Sequence, residues 1–215
     1  MISFRRWFPA AMFVIATTLA IPADSAADVF GFSCITNNSP TNCAVLEAQI
    51  QMEVTAVGGT QVRFDFTNTG GQASSIADVY FDDQTPPLLG TPVTIINSAG
   101  VSFSAGCSPG NLPGGAPYGF TSSYCADSDS PVQPNGVNPG ETLSLIYTLQ
   151  GTSTFADVIA ALNSDDYVVG VHVQGFANGG SEAGVSTPRS SVPEPSTLLL
   201  SGLVLFGLAA RRRRT

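Results

Sequence analysis

Apolar and polar residues alternate along several short segments of this chain. From Leu46 to Ala56 every second residue is apolar, and the residues between them are polar or charged. This alternation is typical of a β-strand with one buried face. Gly58-Gly59 separates this segment from a second alternating run, Val62–Phe66, and two such runs around a glycine pair indicate a β-hairpin. We therefore expect a strand from Leu46 and a hairpin that turns at the two glycines.

Further alternating or short apolar runs, each bounded by turn residues, predict additional strands. These strands are Ile76–Phe81, Val93–Ile96, Val101–Phe103, Thr142–Leu149 and Tyr167–Val173. The segment Thr154–Leu162 instead has apolar residues at helical spacing, and Thr154 with Asp157 resembles a capping box at its start. Many strands and one helix predict an all-β fold, a single antiparallel β-sandwich with one short helix.

The four cysteines lie in or beside segments that show no regular alternation of apolar and polar residues. Residues 104–140 are rich in glycine, proline and serine, and this composition predicts a long loop. A loop of this length is unusual in a compact domain unless a cross-link holds it or it has a function. In an exported chain an even number of cysteines implies disulfides, and three pairings are possible. We expect Cys34 to pair with Cys43 and Cys107 with Cys125, because each pair brackets a loop. The spacings are too wide for paired zinc-ligand motifs.

The N-terminus has the plan of a secretory signal peptide. Arg5 and Arg6 precede the apolar run Trp7–Ile21, and small residues follow. A charged, an apolar and a small-residue region in this order predict export. We expect a signal peptide over residues 1–27, with cleavage after Ala26 or Ala27. The alternative is a retained signal anchor.

Residues 28–180 are expected to form one extracytoplasmic domain, followed by a polar linker over residues 181–191. The segment 28–192 holds two arginines, no lysine and fourteen acidic residues, which gives a net charge of −12. Such a domain repels nucleic acid and anionic lipid. This negative net charge is consistent with solubility outside the cell, or with an association with divalent cations or cationic partners.

The last 24 residues, 192–215, combine a polar motif, an apolar run and a basic end. The apolar run Thr197–Ala210 makes a helix of about 21 Å, whereas a bilayer core of about 30 Å usually needs about 20 residues. Arginine side chains can extend a short span, and their excess places the C-terminus in the cytoplasm. The motif residues are Val192, Pro193, Glu194 and Pro195, and the basic residues are Arg211, Arg212, Arg213 and Arg214. The alternative is an ordinary single-pass anchor.

This three-part tail resembles the PEP-CTERM sorting domain of Gram-negative bacteria. The resemblance covers about the last tenth of the chain, and Pro193-Glu194-Pro195 carry it together with the apolar run and the four arginines. It implies recognition and processing by an exosortase, a membrane enzyme, after transient anchoring in the inner membrane. It further implies release to the cell surface or extracellular matrix, in a setting associated with exopolysaccharide and biofilm.

The middle of the chain resembles, more loosely, a recurrent cargo module of PEP-CTERM proteins to which no activity is assigned. The residues that carry this second resemblance are Asn68-Thr69-Gly70, Tyr80-Phe81-Asp82-Asp83, Asn138-Pro139-Gly140-Glu141, the helix at Phe155, His172-Val173-Gln174-Gly175-Phe176 and Ser181-Glu182.

The sequence has no constellation of nucleophile, base and orienting group, so we expect no enzyme, no catalytic residues and no cofactor. The pair to test for catalysis would be the lone histidine, His172, with Glu182. We expect a non-enzymatic surface protein; the alternative is a glycan- or calcium-binding module. Carboxylates that could supply calcium ligands are Asp82, Asp83, Asp127, Asp129, Asp165 and Asp166, although they lack EF-hand spacing, and no metal site is predicted.

Overall fold

The computed structural model describes residues 27–83 and 86–188, so the sorting tail and all but the last residue of the predicted signal peptide lie outside the described residues. Antiparallel strands dominate these ranges, as the alternation predicted. The strands are β1 (Ala27–Cys34), β2 (Ile50–Val57), β3 (Gln61–Asn68), β4 (Ser75–Asp83), β5 (Leu89–Asn97), β6 (Phe103–Ala105), β7 (Tyr124–Ser128), β8 (Thr142–Leu149), β9 (Tyr167–Gln174) and β10 (Glu182–Pro188). The helices are α1 (Pro40–Gln49), α2 (Val132–Asn135) and α3 (Phe155–Ser164). Within these ranges no helix is both long and apolar enough to cross a membrane.

All ten strands belong to one sheet, in the order β5-β8-β3-β2-β1-β10-β9-β4-β7-β6. Phe64 in β3 and Phe81 in β4 are five positions apart in this order, yet their ring centroids lie 5.3 Å apart. The sheet therefore curls into a half-barrel whose two halves face each other across one core. The predicted sandwich of separate sheets is replaced by a continuous one, because strand twist lets a long sheet curl and bury its own apolar face.

The two edge strands of the sheet, β5 and β6, are joined by hydrogen bonds of one side chain, that of Asn97. The Asn97 side-chain amide donates to the carbonyl of Phe103 at 3.3 Å, and its oxygen accepts from the Phe103 amide at 3.1 Å. The Asn97 side chain thus provides the donor and acceptor that a neighbouring strand would offer. The sheet does not close at this point, and the Asn97 side chain provides hydrogen-bond partners for backbone groups of the β6 edge.

The predicted hairpin is confirmed in β2 and β3. Gly58 and Gly59 have φ angles of 59° and 80°, a left-handed conformation that glycine adopts without strain. Val62, Phe64 and Phe66 of β3 are each fully buried on the inner face of the sheet. Here the period-2 pattern predicted both the strand and its buried face correctly.

The expected strand from Leu46 is wrong for its first residues, because α1 continues to Gln49 and β2 begins at Ile50. Val45, Leu46 and Gln49 are buried at helical spacing. In the same segment Leu46, Ala48 and Ile50 fit an alternating pattern, so period alone could not separate the two structures. Pro40 in the first turn, where its missing N–H has no partner to lose, favours the helix.

The predicted linker over residues 181–191 is wrong over Glu182–Pro188, because this segment is β10. It lies inside the sheet between β1 and β9. A Cβ placed on Gly184 would lie 2.9 Å from Leu46 Cδ2 and 3.1 Å from the carbonyl oxygen of Ser33. A glycine is therefore required where α1 packs against this strand. The folded domain extends past residue 180 to residue 188.

The predicted helix is confirmed as α3, with its capping box. The Thr154 hydroxyl accepts from the Asp157 amide at 3.3 Å, and the Asp157 carboxylate accepts from the Thr154 amide at 2.8 Å. Aspartate therefore serves in the position that glutamate usually takes. The expectation of one helix was incomplete, because α1 and α2 are also present.

Both expected disulfides, Cys34–Cys43 and Cys107–Cys125, are confirmed, with Cα–Cα distances of 5.4 and 5.7 Å. The segment 104–140 is not one continuous loop, because it contains β7, which pairs with β4. Cys125 belongs to this strand, so its disulfide attaches the preceding loop to the sheet.

Candidate functional site

A row of three ionisable residues crosses the outer face of the sheet. Asp78 lies in β4, and its directly paired neighbours are Asp127 of β7 and His172 of β9. Paired residues in adjacent antiparallel strands project on the same face, about 5 Å apart. The register of β4 shifts between Ile76 and Asp78. Such a bulge re-aims the side chains that follow it, and here it places the Asp78 carboxylate between the other two groups.

His172 and Asp78 form a nearly buried pair. His172 Nδ1 lies 2.9 Å from Asp78 Oδ2, and the two side chains are 12% and 3% exposed. This contact between Nδ1 and the carboxylate orients the imidazole ring. The described hydrogen bonds join no serine, threonine or cysteine side chain to His172.

Within the row, Asp127 keeps its proton to higher pH than an ordinary aspartate does. Burial, the negative charge of Asp78 and a hydrogen bond to its carboxyl raise the pKa of Asp127 to about 6. Asp78 Oδ1 is buried and has no hydrogen-bond partner among the described residues. A proton on Asp127 supplies a donor, since a protonated carboxyl donates. Burial, followed by the charges of Asp78 and Asp127, also raises the pKa of the adjacent Tyr80, which therefore stays protonated.

We expect Asp127→Asn to make stability less dependent on pH. The pKa of Asp127 is raised in the folded state, so its contribution to stability is complete below about pH 4 and is lost as pH rises through about 6. Asparagine cannot ionise, so the variant should gain on the wild type by on the order of 1 kcal/mol between these limits, after allowing for solvent screening. Urea unfolding at a series of pH values measures the difference.

Asp129→Asn is the matched control, because Asp129 directly follows β7, the strand that contains Asp127. Hydrogen bonds from Ser102 and Ser104 lower the pKa of exposed Asp129, so its contribution should instead be lost as pH falls. Parallel pH profiles for both variants would show that the loss of a carboxylate in this region, and not the buried row, causes the effect.

Sequence reasoning paired His172 with Glu182, and the structure separates them. His172 is paired with Ala183 across β9 and β10, so the adjacent Glu182 projects to the other face. The partner of His172 is Asp78, which the sequence analysis did not select. A charged residue inside the apolar run Ile76–Phe81 was the available signal.

Glu182 holds the N-terminal loop to the end of the sheet. It is 1% exposed, and its carboxylate accepts from the Thr36 hydroxyl at 2.5 Å, the Asn38 amide at 2.9 Å and the Ser39 amide at 2.6 Å. Ser39 is the residue that precedes α1. The negative charge thus lies at the positive end of the helix and satisfies free N–H groups there.

In the described part of the chain, one group of three potential metal ligands lies within 4.8 Å, namely Cys34, Cys43 and Glu182. The two sulfur atoms form a disulfide and are not thiolates, the form that binds metals. With the disulfide formed, this group is unsuitable for a metal ion.

The aspartates considered for calcium do not meet at one place and mostly serve local hydrogen bonds. Asp82 accepts from the Thr121 amide at 2.9 Å, and Asp83 accepts from the amides of Leu88 and Leu89 at 3.1 and 3.0 Å. These contacts fix the loop that follows β4 and the loop that precedes β7. The carboxylates are already used to order the chain where strands end.

Several residues of the cargo-module resemblance build one buried amide network. The Gln49 side-chain nitrogen donates to Asn68 Oδ1 at 3.2 Å and to Ser74 Oγ at 3.1 Å, and Asn68 Nδ2 donates to the carbonyl of Ser74 at 3.0 Å. A Cβ on Gly70 would lie 2.0 Å from Gln49 Cδ. The Asn-Thr-Gly motif is therefore explained by packing, since each buried amide needs its partners.

The sorting motif, Val192 to Pro195, and the basic end, Arg211 to Arg214, lie outside the described residues. Comparison with protein families gives a match for residues 191–214, to the PEP-CTERM protein-sorting motif. No curated protein and no solved structure matches the chain. The motif implies an exported protein that is anchored in the membrane during transit, processed by an exosortase and released to the cell surface.

Proposed function

We propose that the chain is a non-enzymatic protein of the cell surface or extracellular matrix of a Gram-negative bacterium. A signal peptide over residues 1–27 exports it, and the apolar segment Thr197–Ala210 holds it in the inner membrane. An exosortase then cleaves it near Pro193-Glu194-Pro195. The released domain associates with exopolysaccharide in a biofilm.

The observation that carries this proposal is the match of residues 191–214 to the sorting motif. The two disulfides are consistent with it, because disulfides persist in oxidising compartments outside the cytoplasm. The excess of acidic residues over residues 28–192 suits a protein that stays soluble after release.

The order of the tail suggests how an enzyme in the membrane could use it. Two prolines precede the apolar segment, and proline disfavours a helix, so we expect the backbone around Glu194 to be open to a protease. The four arginines, Arg211 to Arg214, keep the apolar segment at a fixed depth because they resist transfer across the bilayer. Proline also restricts φ, so less backbone freedom is lost when the motif binds.

We expect Pro193→Ala with Pro195→Ala to leave an uncleaved chain in the membrane. Alanine lets the apolar helix extend toward the motif and removes its extended shape. Fractionation in a host that has an exosortase, with mass measurement of the mature chain, tests this. The wild type should lose Thr197–Thr215 and appear outside the cell, while the double variant should keep these residues.

Ser190→Ala is the control, because it leaves the Pro-Glu-Pro motif and the apolar segment unchanged; it should be processed as the wild type is. Should the wild type itself retain Thr197–Thr215 at steady state in this host, the tail is a plain anchor and the proposed processing is wrong.

A further inference from the structure

The chain enters and leaves the folded domain at one end of the half-barrel, which we call the exit end. β10 ends there at Pro188, and β1, its neighbour in the sheet, begins there at Ala27. Phe30 of β1 pairs with Pro188, so Ala27 lies three residues beyond this pair, toward the same end. The predicted signal peptide and the sorting tail therefore both join the domain at the exit end.

The turn that precedes β9 flanks this exit on the other side of β10. Val185 of β10 pairs with Gly170 of β9, and Pro188 and Tyr167 each lie three residues further along, toward the exit end. Asp166 directly precedes Tyr167 and is exposed. Adjacent strands lie about 5 Å apart, so Asp166 stands beside the point at which the tail leaves the domain.

The tail gives the sorting motif little reach from the domain. Residues 189–192 alone separate Pro188 from Pro193. An extended chain spans at most about 3.5 Å per residue, so the two prolines lie no more than about 18 Å apart. In the sheet β10 has β1 and β2 on one side and β9 and β4 on the other. These strands, spaced about 4.8 Å apart, already cover about 19 Å. An enzyme that encloses Pro193-Glu194-Pro195 therefore meets the exit end of the folded domain.

Charge decides which surface the exit end fits once the tether has brought it there. Asp165 and Asp166 form the turn between α3 and β9, and both are exposed. Anionic lipid headgroups repel these carboxylates, as they repel the acidic domain as a whole. A protein surface that carries cations or N–H donors attracts them. The exit end is therefore suited to the enzyme and not to the bilayer around it.

We propose that the exit end of the half-barrel docks on the extracytoplasmic surface of the exosortase while the enzyme cleaves the tail. The docking surface presents cations or N–H donors to the turn Asp165-Asp166. This inference rests on the proposed function, because it requires an exosortase to act on residues 192–195. It adds that the enzyme contacts the folded domain as well as the motif, so that the domain influences how fast its own tail is cleaved.

The test measures cleavage of the full-length chain by pulse labelling in a host that has an exosortase. Asp166→Lys reverses the charge beside the exit, and we expect it to slow cleavage about tenfold, because like charges oppose docking. The side chain of Asp166 is exposed and accepts a hydrogen bond from the Ser164 hydroxyl at 2.8 Å, so the loss of stability should be small. Urea unfolding of the variant checks this.

A longer tether should remove the effect of the substitution. Twelve Gly and Ser residues inserted between Ser190 and Ser191 add up to about 40 Å of reach, so the domain no longer has to touch the enzyme. With this insert, Asp166→Lys and the unsubstituted chain should be cleaved at the same rate. The insert follows Arg189, so any effect of the substitution on Arg189 would persist in the lengthened chain.

Asn178→Lys is the matched control, because it introduces the same side chain at the opposite end of the same two strands. Asn178 is exposed and lies between the end of β9 and the start of β10. We expect this variant to be cleaved at the wild-type rate with either tether. Its comparison with Asp166→Lys separates the position of the new charge from the change in net charge.

Three results would each overturn this inference. Cleavage of Asp166→Lys at the wild-type rate with the native tether would show that the exit end does not dock on the enzyme. Slowing that persists with the long tether would assign the effect to the domain or to Arg189. Equal slowing by Asn178→Lys would assign it to net charge. Failure of the proposed sorting gives a different result, because the wild type itself would then keep Thr197–Thr215 with both tethers.

Discussion

Replacing Glu182 with alanine is expected to lower the free energy of unfolding by about 3 kcal/mol. The carboxylate is 1% exposed and accepts hydrogen bonds from Thr36, Asn38 and Ser39. Hydrogen bonds to a charged group contribute about 1.5–3 kcal/mol each, but water can reach part of this loop and replace some of them. The charge at the start of α1 is lost as well. Urea unfolding followed by circular dichroism measures the change.

Glu53→Ala is the control for removing a negative charge, because Glu53 is exposed on β2. Its effect should stay within about 0.5 kcal/mol. Glu182→Gln should fall between the two, since it keeps the shape and one acceptor but presents an NH₂ group to N–H donors. Equal stability of Glu182→Ala and Glu53→Ala would show that the N-terminal loop does not depend on Glu182.

The sequence predicted those parts of the fold whose signal is local. In β3 the residues Val62, Phe64 and Phe66 alternate cleanly, and the strand and its buried face follow directly. In α3 the apolar spacing and the Thr154–Asp157 cap are both within one short segment. Local hydrophobic period and local capping are enough where neighbours in the chain decide the structure.

The parts that the sequence did not predict depend on distant contacts. β10 contains glycine, serine and threonine in place of large apolar residues, and it is a strand because β1 and β9 provide hydrogen-bond partners on both sides. Its small residues are used where α1 packs closely at Gly184. Strand propensity is weaker than such context.

The candidate site could not be predicted from the sequence for the same reason. Asp78, Asp127 and His172 are far apart in the chain, and only the pairing of β4 with β7 and β9 makes them neighbours. Tyr147 and Tyr167 lie in two strands that the sequence predicted, Thr142–Leu149 and Tyr167–Val173. Their position at strand ends, where a pocket can form, depends on how the whole sheet curls.

Removing the second disulfide, with Cys107→Ser and Cys125→Ser together, is the other change from which we expect a large effect. The bond spans 18 residues, and closing a loop of this size contributes about 3 kcal/mol by restricting the unfolded chain. The enclosed segment also covers a second apolar cluster, in which Leu112 and Phe120 pack with Tyr80. We therefore expect a loss of about 3 kcal/mol on urea unfolding, together with faster amide exchange between residues 106 and 122.

The pair Cys34→Ser and Cys43→Ser is the matched control, because that disulfide spans only 9 residues and lies next to α1. Its loss should cost slightly less, about 2.5 kcal/mol, and should speed exchange in α1 while Leu112 stays protected. The second cluster gives the reason for this separation: Leu112 packs so closely on Gly170 that a Cβ there would lie 2.7 Å from Leu112 Cδ2. If exchange at Leu112 rises equally in both double variants, the Cys107–Cys125 bond does not hold this cover on the sheet.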